Sequence, residues 1–377
     1  LSFTRFMGEE KMLGWICAYT PEEIFSALGL DSFRLYGIGQ AAAASLSYFP
    51  ANFCPLARGC FCEGEEMLRD SSLSGIVLTA SCHALVHLAN GFKDNACRQK
   101  RRLFVYLLDL PRTCGFRNRA ARVSFSLSLR DLVRELSSFY GVTWDEGKFW
   151  NAVEEHRQVR SLLRRIYLFQ QERPESLRAA GVLEAVRAAG RSKKSDFYPV
   201  LRSVVEGLLG GEVPAPGSRA EKLLSGMRRR GSTGGPRLLV LGNSIPSVYL
   251  DLFEEMGADI VGDDLCQGYR YCLPEIAEEA DPFAALARGY LERVPCPRML
   301  SAGEYKEQLR KRLESCRPDG VVYHALKFCD SYLYQFPLIR QFLADEGLPV
   351  LYLETEYRGV GLEQARTRVQ AFLEMVG

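Results

Sequence analysis

The sequence lacks a charge imbalance. Lys and Arg number 48 against 46 Asp and Glu, a net charge of +2, which leaves no global electrostatic footprint for a nucleic-acid binder. Long apolar runs are missing too. The best stretch, Gly75 to Phe92, is interrupted by His83, His87 and Asn90, so nothing matches the roughly 18 to 20 apolar residues of a membrane span. The first twenty residues hold no apolar core of signal-peptide length, and the expectation is a soluble, cytoplasmic protein with reduced thiols. No repeat of roughly 20 to 50 residues stands out. There is also no GxxxxGK followed by Ser or Thr, the loop that cradles nucleotide phosphates.

What the chain has is length and an ordinary apolar content. Its 377 residues, 47% hydrophobic and 25% charged, exclude wholesale disorder and favour more than one packed unit. Short β-rich runs alternate with amphipathic stretches near both ends, the pattern of α/β units with parallel sheets. Strands are expected near Phe33–Gly37, Gly75–Ala80 and Leu103–Leu110, then at Arg237–Leu241, Asp259–Gly262, Gly320–His324 and Pro349–Leu353. Between them, Leu129, Leu132, Val133 and Leu136, then Leu162, Leu163, Ile166 and Phe169, recur at helical spacing. The expected architecture is two doubly wound, Rossmann- or flavodoxin-like parallel-sheet units, residues 1–124 and 228–377, with a helical segment at 125–227.

Twelve cysteines are the anomaly. Open parallel sheets collect ligands beyond the carboxyl ends of their strands, and Cys82, Cys114, Cys266 and Cys329 each follow an expected strand closely. If the two edges face each other, these thiols share a cleft. Zinc ribbons need thiols paired two to four apart, and Cys60 and Cys62 stand too close for that. An iron–sulfur cluster held from distant loops suits dispersed thiols better. Most free cysteines are buried apolar filler, and Cys17, in GWICAY, and Cys316, at a helix end, read that way. Cys97 has no evident role.

The segments GWICAYTPEEIFSALGLDSFRLYG (Gly14 to Gly37), PANFCPLARGCFC around Cys54, DDLCQGYRY (Asp263 to Tyr271), VPCPR (Val294 to Arg298) and DGVVYHALKFCD (Asp319 to Asp330) resemble the 2-hydroxyacyl-CoA dehydratase and benzoyl-CoA reductase superfamily. The resemblance implies three cluster-binding cysteines, falling here on Cys54, Cys82 and Cys329. Relatives often follow the second with Asp, whereas this chain has His83. In the dehydratases and benzoyl-CoA reductases, two homologous chains pair and carry 4Fe-4S clusters. A related branch of homodimers holds an 8Fe-9S double cubane, and PANFCPLAR looks more like that branch. The double cubane is the favoured cofactor, with Cys114, Cys266 and Cys296 as its additional ligands and Cys60 and Cys272 as substitutes.

The resemblance also implies an ATP-hydrolysing iron–sulfur activator that delivers single low-potential electrons. The leading expectation is therefore an ATP-dependent iron–sulfur reductase of a small substrate. A 2-hydroxyacyl-CoA dehydratase subunit, in which a thioester ketyl radical lets the hydroxyl group leave, is the alternative. A non-catalytic cluster carrier is the third. His83 and His324, each beside a proposed ligand, are the candidate proton donors. Asp263, Asp264, Tyr269, Arg270 and Asp330 are candidates for orienting ligands. GNSIPS (Gly242 to Ser247), between a strand and a helix, is a weak anion-site candidate. His156 reads as a surface helix residue, and the cationic runs at Arg98–Arg102, Arg191–Lys194 and Arg228–Arg230 read as solvated surface, with docking of coenzyme A phosphates or of the ATPase as the functional alternative for the runs.

Overall fold

The computed structural model describes residues 12–37, 45–113, 118–229, 234–299, 302–356 and 361–377. The first α/β unit comprises β1 (Met12–Trp15), α1 (Glu22–Ala27), β2 (Ser32–Arg34), α2 (Pro55–Arg69), β3 (Leu73–Thr79), α3 (His83–Arg98) and β4 (Phe104–Leu108). A run of helices follows: α4 (Arg119–Tyr140), α5 (Glu146–Glu172), α6 (Ala179–Gly190), α7 (Lys194–Leu208) and α8 (Arg219–Met227). The second unit comprises β5 (Arg237–Gly242), α9 (Ser247–Glu255), β6 (Asp259–Leu265), α10 (Pro282–Leu291), α11 (Ala302–Cys316), β7 (Gly320–Leu326), α12 (Asp330–Asp345), β8 (Val350–Thr355) and α13 (Leu362–Val376). No helix among the described residues is long and apolar enough to cross a membrane.

Each sheet has four parallel strands, ordered β2-β1-β3-β4 and β6-β5-β7-β8. In both, the second strand lies on one side of the first and the third on the other, so the direction of winding reverses between β1 and β3 and again between β5 and β7. Loops leaving the carboxyl ends of those pairs diverge and open a crevice. One strand differs from expectation. Met12–Trp15 carries no β-branched residue, yet β1 is central and pairs with both β2 and β3.

Local chemistry starts and stops the helices. Asn118, Asp145, Ser218 and Asp281 cap α4, α5, α8 and α10, each accepting a main-chain N–H from the first turn. Gly141, at φ 69°, ends α4 in the left-handed conformation. A Cβ on Gly59 would come within 2.6 Å of the Gly37 carbonyl oxygen, so glycine lets α2 lie against the chain leaving β2 and fixes where its first residues sit.

The helical run is not a separate layer. One apolar cluster extends from Trp15 and Phe25 through Leu129, Leu163 and Val186 to Tyr271 and Phe283. Through it threads a buried ionic knot. Lys194 donates to Glu22 at 2.8 Å, Arg160 to Glu23 at 2.6 Å, Tyr271 to Glu22 at 2.6 Å and Tyr290 to Glu23 at 2.8 Å. The knot joins α1, the helical run and the second unit.

This corrects three surface readings. His156 is 1% exposed, with Nδ1 on the Ala152 carbonyl and Nε2 3.7 Å from Glu22. The Arg191–Lys194 run is drawn inward as well, since Arg191 bonds Glu63 and Lys194 is buried. Arg229, of the Arg228–Arg230 run, pairs with Asp259.

Candidate metal centre

Six cysteines line one cavity of about 130 Å³. Cys17 lies two residues past β1, Cys82 three past β3, Cys266 directly after β6 and Cys329 three past β7. Cys54 precedes α2, and Cys296 sits in the loop after α10. The two sheets therefore present their carboxyl edges to a common space. Both winding reversals supply its walls.

Position sorts the six into two trios: Cys54, Cys82 and Cys329 are helix N-cap residues, and Cys17, Cys266 and Cys296 lie in loops. Within the first, Cys82 is raised by Cys54, and Cys329 by Cys54 and Cys82. Within the second, Cys17 is raised by Cys266, and Cys296 by Cys266 and Cys17. Cys82 also feels Cys17, and Cys329 feels Cys296, so the trios adjoin. Burial is the larger cause at five of the six: it pushes the Cys82 thiol up to about 12 and those of Cys17, Cys54, Cys296 and Cys329 upward too. Without a metal these groups are neutral thiols.

The wall chemistry suits thiolates bound to metal. Cys54, Cys82 and Cys329 are the N-cap residues of α2, α3 and α12, where the helix dipole and free N–H groups favour negative charge. Asn243 donates to Cys329 Sγ at 3.4 Å. Tyr332 Oη lies 3.1 Å from Cys266 Sγ, with Arg270 at 3.9 Å from the same sulfur. Arg34, Arg270, Arg293 and Arg298 line the cavity, and among the described lining residues there is no Asp or Glu. Arg34 Nη1 and Arg298 Nε are buried without a hydrogen-bond partner.

Soft donors in this number, on a cationic wall, fit an anionic iron–sulfur group. Binding a cation would reverse the thiol pKa logic and release the protons. A single ion is a poorer match. Among the described residues no three His, Cys, Asp or Glu form a group able to hold one, so the thiols surround a space rather than a point.

Several sequence readings change here. Cys17 is a cavity thiol, not filler. His324 does not line the cavity: it is fully buried with Nε2 2.8 Å from Thr355 Oγ1, and burial pushes its pKa down to about 3. His83 is exposed, and Arg298 Nη2 lies 2.9 Å from its Nδ1.

The remaining candidates fall on both sides of that boundary. Cys60 donates to the Leu35 carbonyl at 3.5 Å, and Cys272 is wholly buried in the core, so neither substitutes at the cavity. Cys114 lies outside the described residues. Asp264 clamps Arg270 with bonds of 2.7 and 2.6 Å. Asp263 instead receives Tyr167 Oη at 2.7 Å and the Tyr269 amide at 2.8 Å, away from the thiols. Asn243, in GNSIPS, reaches the cavity through its side chain.

A sequence profile described as 2-hydroxyglutaryl-CoA dehydratase, D-component, matches residues 17–376. The chain belongs to this family. Relatives include the (R)-phenyllactyl-CoA dehydratase beta subunit of Clostridium sporogenes, 23% identical over 375 residues, and the lactoyl-CoA dehydratase subunit beta of Anaerotignum propionicum, 21% over 373. A benzoyl-CoA reductase subunit from Thauera aromatica is 18% identical over 378. Each alignment covers 97% of this chain and 91% of the relative. Membership in the dehydratase family thus extends across both α/β units.

Proposed function

We propose that the chain is the cluster-bearing subunit of an enzyme that dehydrates 2-hydroxyacyl-CoA thioesters. The observation that carries this reading is the meeting of Cys54, Cys82 and Cys329, each at a helix N-terminus, in a cavity with a cationic wall. The names of the phenyllactyl-CoA and lactoyl-CoA relatives favour dehydration over the ATP-dependent reductase expected first.

A 4Fe-4S cluster bound there supplies single electrons at low potential. The protein does the rest. Arg34, Arg270, Arg293 and Arg298 offset the negative charge of thiolates and of a substrate oxygen. Ile16, Leu56, Ala57 and Leu85 line the same cavity and restrict water. Arg298 can only donate, so His83 accepts at Nδ1; exposed, it stands behind the cavity-lining Arg298, where it would pass protons in from solvent. Electrons come from an ATP-hydrolysing iron–sulfur activator, and the enzyme is completed by a second, homologous chain.

The test combines the anaerobically purified chain and a homologous partner chain with activator, ATP, reductant and a 2-hydroxyacyl-CoA. Formation of the enoyl-CoA, seen by mass spectrometry, is the expected result. No product with any of several short-chain and aryl 2-hydroxyacyl thioesters would overturn it.

A second reading rests on the second trio, Cys17, Cys266 and Cys296. Three further thiols facing the same cavity match the ligand demand of an 8Fe-9S double cubane in a homodimeric reductase. On that reading the chain alone, with activator and ATP, reduces small molecules without a second type of chain.

A further inference from the structure

Different chemistry supports the two trios. Cys54 and Cys82 stand at the N-cap positions of α2 and α3, beside the first-turn main-chain N–H groups of those helices. These belong to helix ends and no substitution short of proline removes them. In the second trio a side-chain network serves Cys266. Tyr332 Oη lies 3.1 Å from Cys266 Sγ, and Arg270 Nη1 lies 3.9 Å from it.

The Tyr332 hydroxyl is held from behind. Arg270 Nη1 donates to it at 3.2 Å, Asp264 grips that guanidinium with both oxygens, and Tyr305 Oη donates to Asp264 at 3.0 Å. All four residues are 4% exposed or less. A guanidinium has no acceptor, so Tyr332 receives from Arg270 and keeps its own proton for a thiolate at Cys266. The same residue is tied to the other trio through its backbone, since its main-chain N–H donates to the Cys329 carbonyl oxygen at 3.1 Å.

We infer that Tyr332 is a positioning residue that raises the reduction potential of iron held at Cys266, while iron held by Cys54, Cys82 and Cys329 is tuned separately by helix ends and Asn243. The inference rests on the two-trio reading. Reduction adds negative charge, and a hydrogen bond to a ligand sulfur stabilises the more negative state. Inside a wall that excludes water, that bond is not screened.

The experiment is an anaerobic redox titration of the iron-loaded chain followed by electron paramagnetic resonance. Wild type is compared with Tyr332→Phe, which keeps the ring against Tyr323 and the backbone N–H at Cys329, and with Asn243→Ala. Iron content is measured on each sample. The expected result is unchanged iron, one signal shifted to lower potential in Tyr332→Phe, and the other signal shifted in Asn243→Ala. Wild-type iron content with both signals unmoved in Tyr332→Phe, or both moved equally, would overturn the inference. About four irons per wild-type chain would instead remove the two-trio reading, and the inference with it.

Discussion

Lys194 Nζ donates to Glu22 Oε2 at 2.8 Å across 172 residues of chain, with Lys194 5% and Glu22 1% exposed. Glu22 opens α1, directly after the loop that carries Cys17, and it also receives the Tyr271 hydroxyl, one residue past Arg270. The pair therefore ties the position of two cavity loops to the helical run. Replacing Glu22 with Gln leaves an uncompensated buried ammonium, and a loss of about 3–5 kcal/mol is expected in urea denaturation at pH 7. A loss below about 1 kcal/mol would show that the knot is incidental.

Acid should weaken the same knot. Burial pushes the Glu22 carboxyl up, but Lys194, His156 and Arg160 more than reverse this and hold it well below the usual carboxylate range. A depressed folded value gives stability that is complete above the unfolded value of about 4.3 and is lost as pH falls towards the folded one. The stability gap between wild type and Glu22→Gln should therefore be constant from pH 8 to pH 6 and shrink below about pH 4.5. Urea midpoints across that series check it, and a gap that widens with acid would contradict it.

Glu254 carries the opposite sign. Burial lifts its pKa to about 7, only partly offset by the Ala179 N–H and Arg229. A raised carboxyl costs nothing below about pH 4.3 and progressively more as pH rises to the folded value. Glu254→Gln keeps an acceptor for Ala179 and removes that cost. In urea denaturation the variant should match wild type near pH 4.5 and exceed it by about 1–3 kcal/mol at pH 8.

Phe328 stands at φ 62° immediately before Cys329 and is 45% exposed. A left-handed conformation at a bulky residue costs about 1–2 kcal/mol, and it turns the chain so that Cys329 caps α12. Phe328→Gly should raise the melting temperature, and the β-branched Phe328→Val should lower it. The reverse order would show that the ring's contacts outweigh the backbone strain.

The strands GIVLT, LLVLG and GVVYHAL were legible because a parallel strand buried on both faces is a continuous apolar run. MLGW was not, being four residues without a β-branched side chain. That omission hid Cys17, since the rule that thiols past strand ends meet in the crevice finds it once β1 is recognised. His324 shows the limit of sequence proximity. Alternation along β7 turns it to the Val322 face, against Tyr249 and Thr355, while Cys329 three residues beyond the strand reaches the cavity. Nothing local in EEHRQ reveals that His156 faces Glu22, because the partner comes from a helix more than a hundred residues away.

Iron and acid-labile sulfide per chain, measured after anaerobic purification, test most directly whether the cavity thiols grip a cluster. About four of each is expected if Cys54, Cys82 and Cys329 act alone, and about eight irons if Cys17, Cys266 and Cys296 join them. Serine at Cys54, Cys82 or Cys329 should sharply reduce the iron, and serine at the exposed Cys97 should not. A colourless wild-type protein without iron, or equal iron in every one of these variants, would contradict a metal centre at this cavity.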